Sequence, residues 1–600
     1  MPLDSELEYS VAMMAKVCGC WSPSFSPDGK QLAFVSDMNG IPQVWTVAAE
    51  GGWPTLVTAL NDQVVKVIWS PDGEWLAFNV APGGGMNQQI YCIRPDGTDL
   101  RLLTDGGSET NWLHFWTKDS RRIAIASNRA NRSAMDAYLL DVSSGEYTLA
   151  AHNPGIGRLT DVHAGTGRMA LYRMANRSDS NLYLLEQQTE RLLTPHEWPG
   201  NFANARFSPD GGTIYLQSDH NRDKAAFARI VIGSWEIEVI AGRDDAELEN
   251  YAVSDDGTTA ALLWNVYGRS ELAFVDLSTG VVTPAPTLPA EIIMEGSFSA
   301  DGRLLTFRAT GAAAPDDIWI LNRDTGALTQ VTHSPHPGVN LNTLIRPELV
   351  RFHAHDGLEL SGWLYRPLDF AAPGPVVLSF HGGPEGQERP RFDSTYQALL
   401  GQGIAVFAPN VRGSGGFGKT FVNLDNGALR FNAIKDIKAC ADYVVEAGIA
   451  APGQIGIMGG SYGGYMTMAG LTDYPDVFAA GANIFGVVNF KTFFANTEPW
   501  MAAISKIEYG DPDTEGDLLD SLSPIFKIDR VTAPTLVLHG ANDTNVPVVE
   551  AEQVVDGLKR RDVPVEYVLF PDEGHGFQKE ANRIQAAVSI VKWFVQYLRR

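Results

Sequence analysis

Ile455-Gly456-Ile457-Met458-Gly459-Gly460-Ser461-Tyr462-Gly463-Gly464 is the stretch that decides the fold. Residues 455–458 are an apolar run of strand length, and a helical stretch is expected over 465–473. A G-x-S-x-G pattern between strand and helix is a nucleophile elbow. The serine sits on a strained turn with its hydroxyl projecting. Gly459 and Gly463 stand where strand and helix come too close for a side chain. Moving outward, apolar runs at 376–380, 404–408, 535–538 and 565–570 alternate with helical stretches. That alternation predicts an α/β-hydrolase domain over 333–600, with a mainly parallel, doubly wound sheet. Ligands bind such sheets at the carboxyl ends of the strands.

A serine hydroxyl is a poor nucleophile until a base takes its proton. The chain order expected in this fold is Ser, acid, His. Asp543 follows the run 534–538 and His575 follows 565–570, so both open on the edge that carries Ser461. Ser461 is the expected nucleophile and His575 the general base. Asp543 is the carboxylate that orients the imidazole. Asp529 precedes its strand and belongs to the opposite end of the sheet, while Asp572 needs a tight hairpin to reach His575. The tetrahedral intermediate requires N–H donors. Tyr462, next after the nucleophile, supplies one. The loop His381-Gly382-Gly383-Pro384 supplies the other, with Gly383 favoured over Gly382.

The first half repeats itself. Ser26-Pro27-Asp28-Gly29 returns as Ser70-Pro71-Asp72-Gly73, Ser208-Pro209-Asp210-Gly211, Ser254-Asp255-Asp256-Gly257 and Ser299-Ala300-Asp301-Gly302. Weaker copies lie at 117–120 and 163–167, which gives a period of about 44–47 residues. Each unit has an apolar residue before a tight turn and about four strand-like runs. Seven units over 21–332 predict a seven-bladed β-propeller. Residues 1–20 are left as an N-terminal segment.

The formal net charge of -25 argues against nucleic acid and anionic membranes as partners. No basic start followed by an apolar run opens the chain, and no run of about 18 apolar residues occurs, so a cytoplasmic location is expected. The four cysteines, Cys18, Cys20, Cys92 and Cys440, lack zinc-site spacing and read as reduced thiols. No metal and no cofactor is expected.

Gly-Gly-Ser-Tyr-Gly-Gly-Tyr at 459–465, His-Gly-Gly-Pro at 381–384, Arg412-Gly413-Ser414 and Gly574-His575-Gly576 resemble the prolyl oligopeptidase family. The propeller ahead of the hydrolase extends the likeness over nearly the whole chain. The acylaminoacyl peptidase and dipeptidyl peptidase branches are most similar. The resemblance implies cleavage of short peptides, with a propeller that keeps folded proteins out and an N-terminal segment, with a helix over 3–16, that returns to the hydrolase domain. It also implies an apolar pocket at Val487, Phe490 and Phe493. Asn545 stands where acylaminoacyl and prolyl oligopeptidases carry an arginine, and matches the asparagine of proline-cutting dipeptidyl peptidases. A paired-glutamate motif like theirs is not found in the propeller. His381 stands where they place a tyrosine hydroxyl.

The favoured reading is a serine peptidase acting on short peptides, an exopeptidase that releases blocked or free N-terminal residues. The alternatives are an esterase or amidase for small acyl compounds, and a binding protein with a silent hydrolase domain. The sequence leaves a homo-oligomer open.

Overall fold

The computed structural model describes residues 5–187 and 189–599. Within 20–330 the chain forms seven four-stranded antiparallel sheets, each made of four consecutive strands. The recurring Ser-x-Asp-Gly phrase joins the first and second strand of a blade. Its serine hydroxyl donates to its own aspartate, at 2.7 Å for Ser26–Asp28 and 2.6 Å for both Ser70–Asp72 and Ser299–Asp301. The aspartate then accepts an N–H two residues on, so the phrase is a self-contained turn. Second strands form the blade cores: Leu32, Ala33, Phe34 and Val35 are fully buried.

No blade borrows a strand from another. The ring closes where Cys20–Phe25 of blade 1 packs on the first three strands of blade 7, and Ser22 N–H donates to the Glu295 carboxylate at 2.6 Å. The chain enters and leaves the propeller at this seam. There Cys18 N–H donates to the Pro335 carbonyl at 2.9 Å.

The hydrolase domain holds one eight-stranded sheet. Its strands are β1 (Glu348–His353), β2 (Glu359–Tyr365), β3 (Gly374–Phe380), β4 (Ala405–Asn410), β5 (Ala450–Gly460), β6 (Ala480–Ile484), β7 (Thr535–Gly540) and β8 (Val565–Phe570). Their order is β1-β2-β4-β3-β5-β6-β7-β8. β1, β2 and β4 pair antiparallel, and every other pairing is parallel. Helices α1 (Glu6–Ala15), α2 (Ser394–Gly401) and α7 (Glu580–Leu598) bury side chains against one face. Helices α3 (Arg430–Glu446), α4 (Tyr462–Asp473) and α6 (Val549–Lys559) cover the other, joined by α5 (Pro499–Tyr509).

Ser5 caps α1 through the Glu8 N–H at 3.2 Å, and Glu8 pairs with Lys592 of α7 at 2.5 Å. The N-terminal helix is thus part of the hydrolase domain. Leu3 and Asp4 of the expected helix lie outside the described residues.

Candidate active site

Ser461 stands between β5 and α4 at φ 57 and ψ -120, a left-handed conformation that a non-glycine residue rarely takes. The close approach is real. A Cβ on Gly463 would lie 1.9 Å from the Phe380 carbonyl oxygen, and one on Gly459 would lie 2.5 Å from Gly463. Asp543 follows β7 and His575 follows β8. His575 Nδ1 and Asp543 Oδ2 are 2.7 Å apart. The other Asp543 oxygen accepts the Asn545 and Val546 N–H groups at 2.9 Å each, so the loop's own backbone aims the carboxylate. Asp572 is spoken for elsewhere, by Lys579 at 2.6 Å and Asn582 at 3.1 Å. The His575 ring lies 4.7 Å from that of Phe485, which abuts Gly460 next to the elbow. The Ser461 hydroxyl has no hydrogen-bond partner among the described residues, so the serine–histidine contact is not drawn up in this conformation.

Tyr462 is the first residue of α4, where a backbone N–H has no intrahelical acceptor. The N–H of Gly383 likewise finds no acceptor among the described residues. Gly383 turns at φ +82, while a Cβ on Gly382 would lie 3.3 Å from Ser461 Cβ. The loop is therefore packed directly on the nucleophile. His381 supports it as a strut, with Nε2 2.8 Å from Ser414 Oγ and Nδ1 3.0 Å from the Gly382 carbonyl. Burial lowers its pKa, so it stays neutral. With both nitrogens engaged, His381 does not replace a tyrosine donor.

The Tyr462 side chain is anchored from below. Its hydroxyl reaches Asp425 at 3.3 Å, and its ring lies 4.9 Å from the guanidinium of fully buried Arg430. Arg430 bonds the Asp425 carboxylate at 2.9 Å and also the carboxylate of Glu508. Burial pushes the Asp425 carboxyl up to about 7, against the pull of Arg430. Sequence patterns gave no hint of this network, because Tyr462 and Glu508 come from segments far from Asp425 and Arg430.

The expected pocket residues are all buried. Val487 and Phe493 retain 4% and 3% exposure. Phe490 retains none. Its ring packs 5.3 Å from Tyr465 and 4.6 Å from Tyr509, and all three residues belong to the core on this face of the sheet. Glu550, also unforeseen, accepts the Val488 and Asn489 N–H groups at 2.8 Å each and fixes this loop. The Asn545 backbone is committed, its carbonyl accepting from Thr497 at 2.7 Å, while its side-chain amide has no partner among the described residues.

The propeller reaches into the site. Its Pro82-Gly83-Gly84-Gly85 loop packs backbone to backbone on the His575 loop, and a Cβ on Gly84 would lie 2.6 Å from Gly574 N. Met86 N–H donates to Thr544 at 3.2 Å, and Asn542 donates to the Gly83 carbonyl at 3.2 Å. Between the domains lies a cavity of about 400 Å³, with Arg177, Glu249, Glu385, Gln387 and Arg389 in its walls. Four buried polar atoms there lack a partner: Arg177 Nε, Glu249 Oε2, Glu385 Oε1 and Gln387 Nε2. Arg177 crosses from the propeller to Glu385 at 3.2 Å. No cluster of three or more metal-ligating side chains occurs among the described residues. Cys18, Cys20, Cys92 and Cys440 are free thiols.

Residues 390–600 match the model of the prolyl oligopeptidase family, and residues 11–112 match that of the TolB beta propeller domain. The hydrolase domain is that of a prolyl oligopeptidase family serine peptidase. Dipeptidyl aminopeptidase BIII of Pseudoxanthomonas mexicana is 28% identical over 588 residues, 93% of this chain and 84% of that protein. The acylamino-acid-releasing enzyme of Arabidopsis thaliana is 30% identical over 232 residues, 38% of this chain and 30% of that protein. A crystal structure of puromycin hydrolase superposes with a TM-score of 0.86 at 18% identity, covering 100% of this chain and 96% of that one. The last shows a shared fold, that of a propeller on an α/β-hydrolase. No helix among the described residues of the peptidase is long and apolar enough to cross a membrane.

Proposed function

We propose that the peptidase removes residues from the ends of short peptides, with Ser461 as nucleophile, His575 as base and Asp543 as its orienting carboxylate. The observation that carries this reading is the 2.7 Å His575–Asp543 bond beside a serine held at φ 57. Asp543 fixes the tautomer in which Nδ1 carries the proton, leaving Nε2 to take the Ser461 proton as the hydroxyl attacks. Apo geometries are often loose at this contact and tighten with substrate. The oxyanion that forms is met by the Tyr462 and Gly383 N–H groups. His575 then protonates the leaving amine, and water hydrolyses the acyl-enzyme by the reverse sequence.

The interdomain cavity supports peptide over ester substrates. Its unpartnered groups are two donors and two acceptors, which suits the alternating N–H and C=O groups of a main chain. The propeller covering the strand ends supports selection for short chains. Val487 and Phe493 support an apolar side chain at the cleaved bond, and the Asn545 amide is free to donate to an acyl-side carbonyl.

The test pairs labelling with a substrate panel. Fluorophosphonate should label wild type and not Ser461→Ala. Acetyl-aminoacyl, aminoacyl and dipeptidyl nitroanilides should outperform a nitrophenyl ester in kcat/KM, and folded proteins should survive. Labelling at another serine, or a preference for the ester, would overturn the reading.

A further inference from the structure

The inner strands of the blades surround the propeller axis, and four neighbouring ones bring basic groups together. Lys66 comes from blade 2 (Gln63–Trp69), His114 from blade 3 (Asn111–Trp116), Arg158 from blade 4 (Gly157–Val162) and Arg206 from blade 5 (Phe202–Phe207). They feel one another: Arg206 and Arg158 both oppose a charge on Lys66, and all three cations oppose one on His114.

None of these side chains is hydrogen-bonded or ion-paired to a carboxylate among the described residues. Lys66 Nζ donates only to main-chain carbonyls, of His114 at 3.1 Å and Leu113 at 3.5 Å. Arg206 donates to the Thr160 carbonyl. The Arg158 side chain makes no hydrogen bond or ion pair among the described residues, and its guanidinium lies 4.2 Å from the Tyr172 ring centroid. His114 Nε2 is buried without a partner. The nearby acids are already engaged. Asp161 accepts the Val162 and Phe207 N–H groups at 2.9 and 2.8 Å, and Glu295 accepts from Ser22 and faces Arg308 at 3.7 Å.

This is unexpected in a chain of net charge -25, where carboxylates are plentiful. Two guanidinium groups and an ammonium converge without a carboxylate bonded to any of them, and like charges held together in this way are unfavourable. Burial depresses Lys66 to about 8, with Arg206 and Arg158 adding to it and Glu295 opposing.

We infer that the propeller axis holds a binding site for a small oxyanion, a phosphate or carboxylate group, seated among Lys66, His114, Arg158 and Arg206. Guanidinium forks suit both groups, and an ammonium supplies a point charge. The site is separate from Ser461 and does not depend on the catalytic reading.

The site is tested by thermal unfolding of the full chain in inorganic phosphate against chloride at matched ionic strength. Phosphate should raise the apparent Tm by a few degrees in a saturating manner, as a ligand of the folded state does. Lys66→Met and Arg206→Met should lose that response while gaining Tm in chloride, because repulsion is relieved. Calorimetric titration of wild type with phosphate gives a second readout if a variant misfolds. D-residue dipeptides with free or amidated C-termini separate the sources. Displacement of phosphate by the free acid alone assigns the site to peptide carboxylates as well, and no displacement assigns it to free phosphate. Equal Tm in phosphate and chloride with no calorimetric binding would overturn the site, as would an undiminished response in both variants.

Discussion

At the scale of single residues, the choice of carboxylate is the sharpest claim. Asp543→Asn should leave the fold intact but hold His575 in the wrong tautomer, lowering kcat by orders of magnitude. Asp572→Asn should weaken only surface contacts with Lys579 and Asn582 and keep near-normal turnover. Rates measured side by side decide it, and the reverse ranking would move the acid to Asp572. Asn545 offers a finer test. Its backbone builds the Asp543 loop, so Asn545→Ala keeps those bonds and removes only the amide. A neutral hydrogen bond contributes about 0.5–1.5 kcal/mol, so kcat/KM for dipeptidyl substrates should fall several-fold while a nitrophenyl ester is spared. Equal losses would make Asn545 a loop support. The candidates Ser461, Asp543 and His575 could be picked from sequence because each follows an apolar run that marks a strand end. Arg430, Asp425 and Glu508 could not, since a buried ion network depends on contacts between distant segments and leaves no local pattern. The burial of Phe490 was not legible for a related reason: a family resemblance places a residue at a position but does not say which of its neighbours cover it.

Among the elements, the Pro82–Gly85 loop and the oxyanion loop bear most on catalysis. Gly84 has φ +76 and touches the backbone beside His575. Gly84→Ala should displace the His575 loop and reduce kcat on peptide and ester alike, by roughly tenfold or more for a shift approaching an ångström. Unchanged kcat on both would show that the two loops move independently. The glycine run was visible in the sequence, but its partner some 490 residues away was not. Another element is tied by Arg412, which bonds Asp356 at 2.9 and 3.0 Å and Asp436 at 2.8 and 2.9 Å. The Arg412 hydrogen bonds hold Asp356 well below the usual carboxylate range. A depressed carboxylate contributes stability above its unfolded pKa of about 3.9 and loses it as pH falls toward the folded value. Asp356→Asn should therefore lower Tm at pH 7 and lose less than wild type on acidification. Parallel Tm–pH curves for the two proteins would refute the linkage.

Over the whole molecule, two domains were legible because their periodicities differ: one phrase every 44 to 47 residues against alternating strands and helices. How they dock was not legible, since the interface uses loop backbones and scattered charges. The seam has a consequence of its own. With Cys18 N–H on the Pro335 carbonyl, the propeller is a cassette of some three hundred residues spliced into the hydrolase through a doorway one hydrogen bond wide. Closing so long a loop grows costlier only with the logarithm of its length, so a hydrolase can tolerate such an insertion thermodynamically. The reverse edit is then feasible. Joining Cys18 directly to Pro335 should give a protein that keeps α1 on its own sheet and still cleaves a nitrophenyl ester, though more slowly for want of Gly84. It should also degrade a denatured protein substrate that the intact chain spares. If the shortened chain folds and still discriminates by size, the filter resides in the hydrolase mouth. If discrimination vanishes, the propeller is a removable sieve, and its blades can be exchanged to reset the cut-off without touching the chemistry beneath.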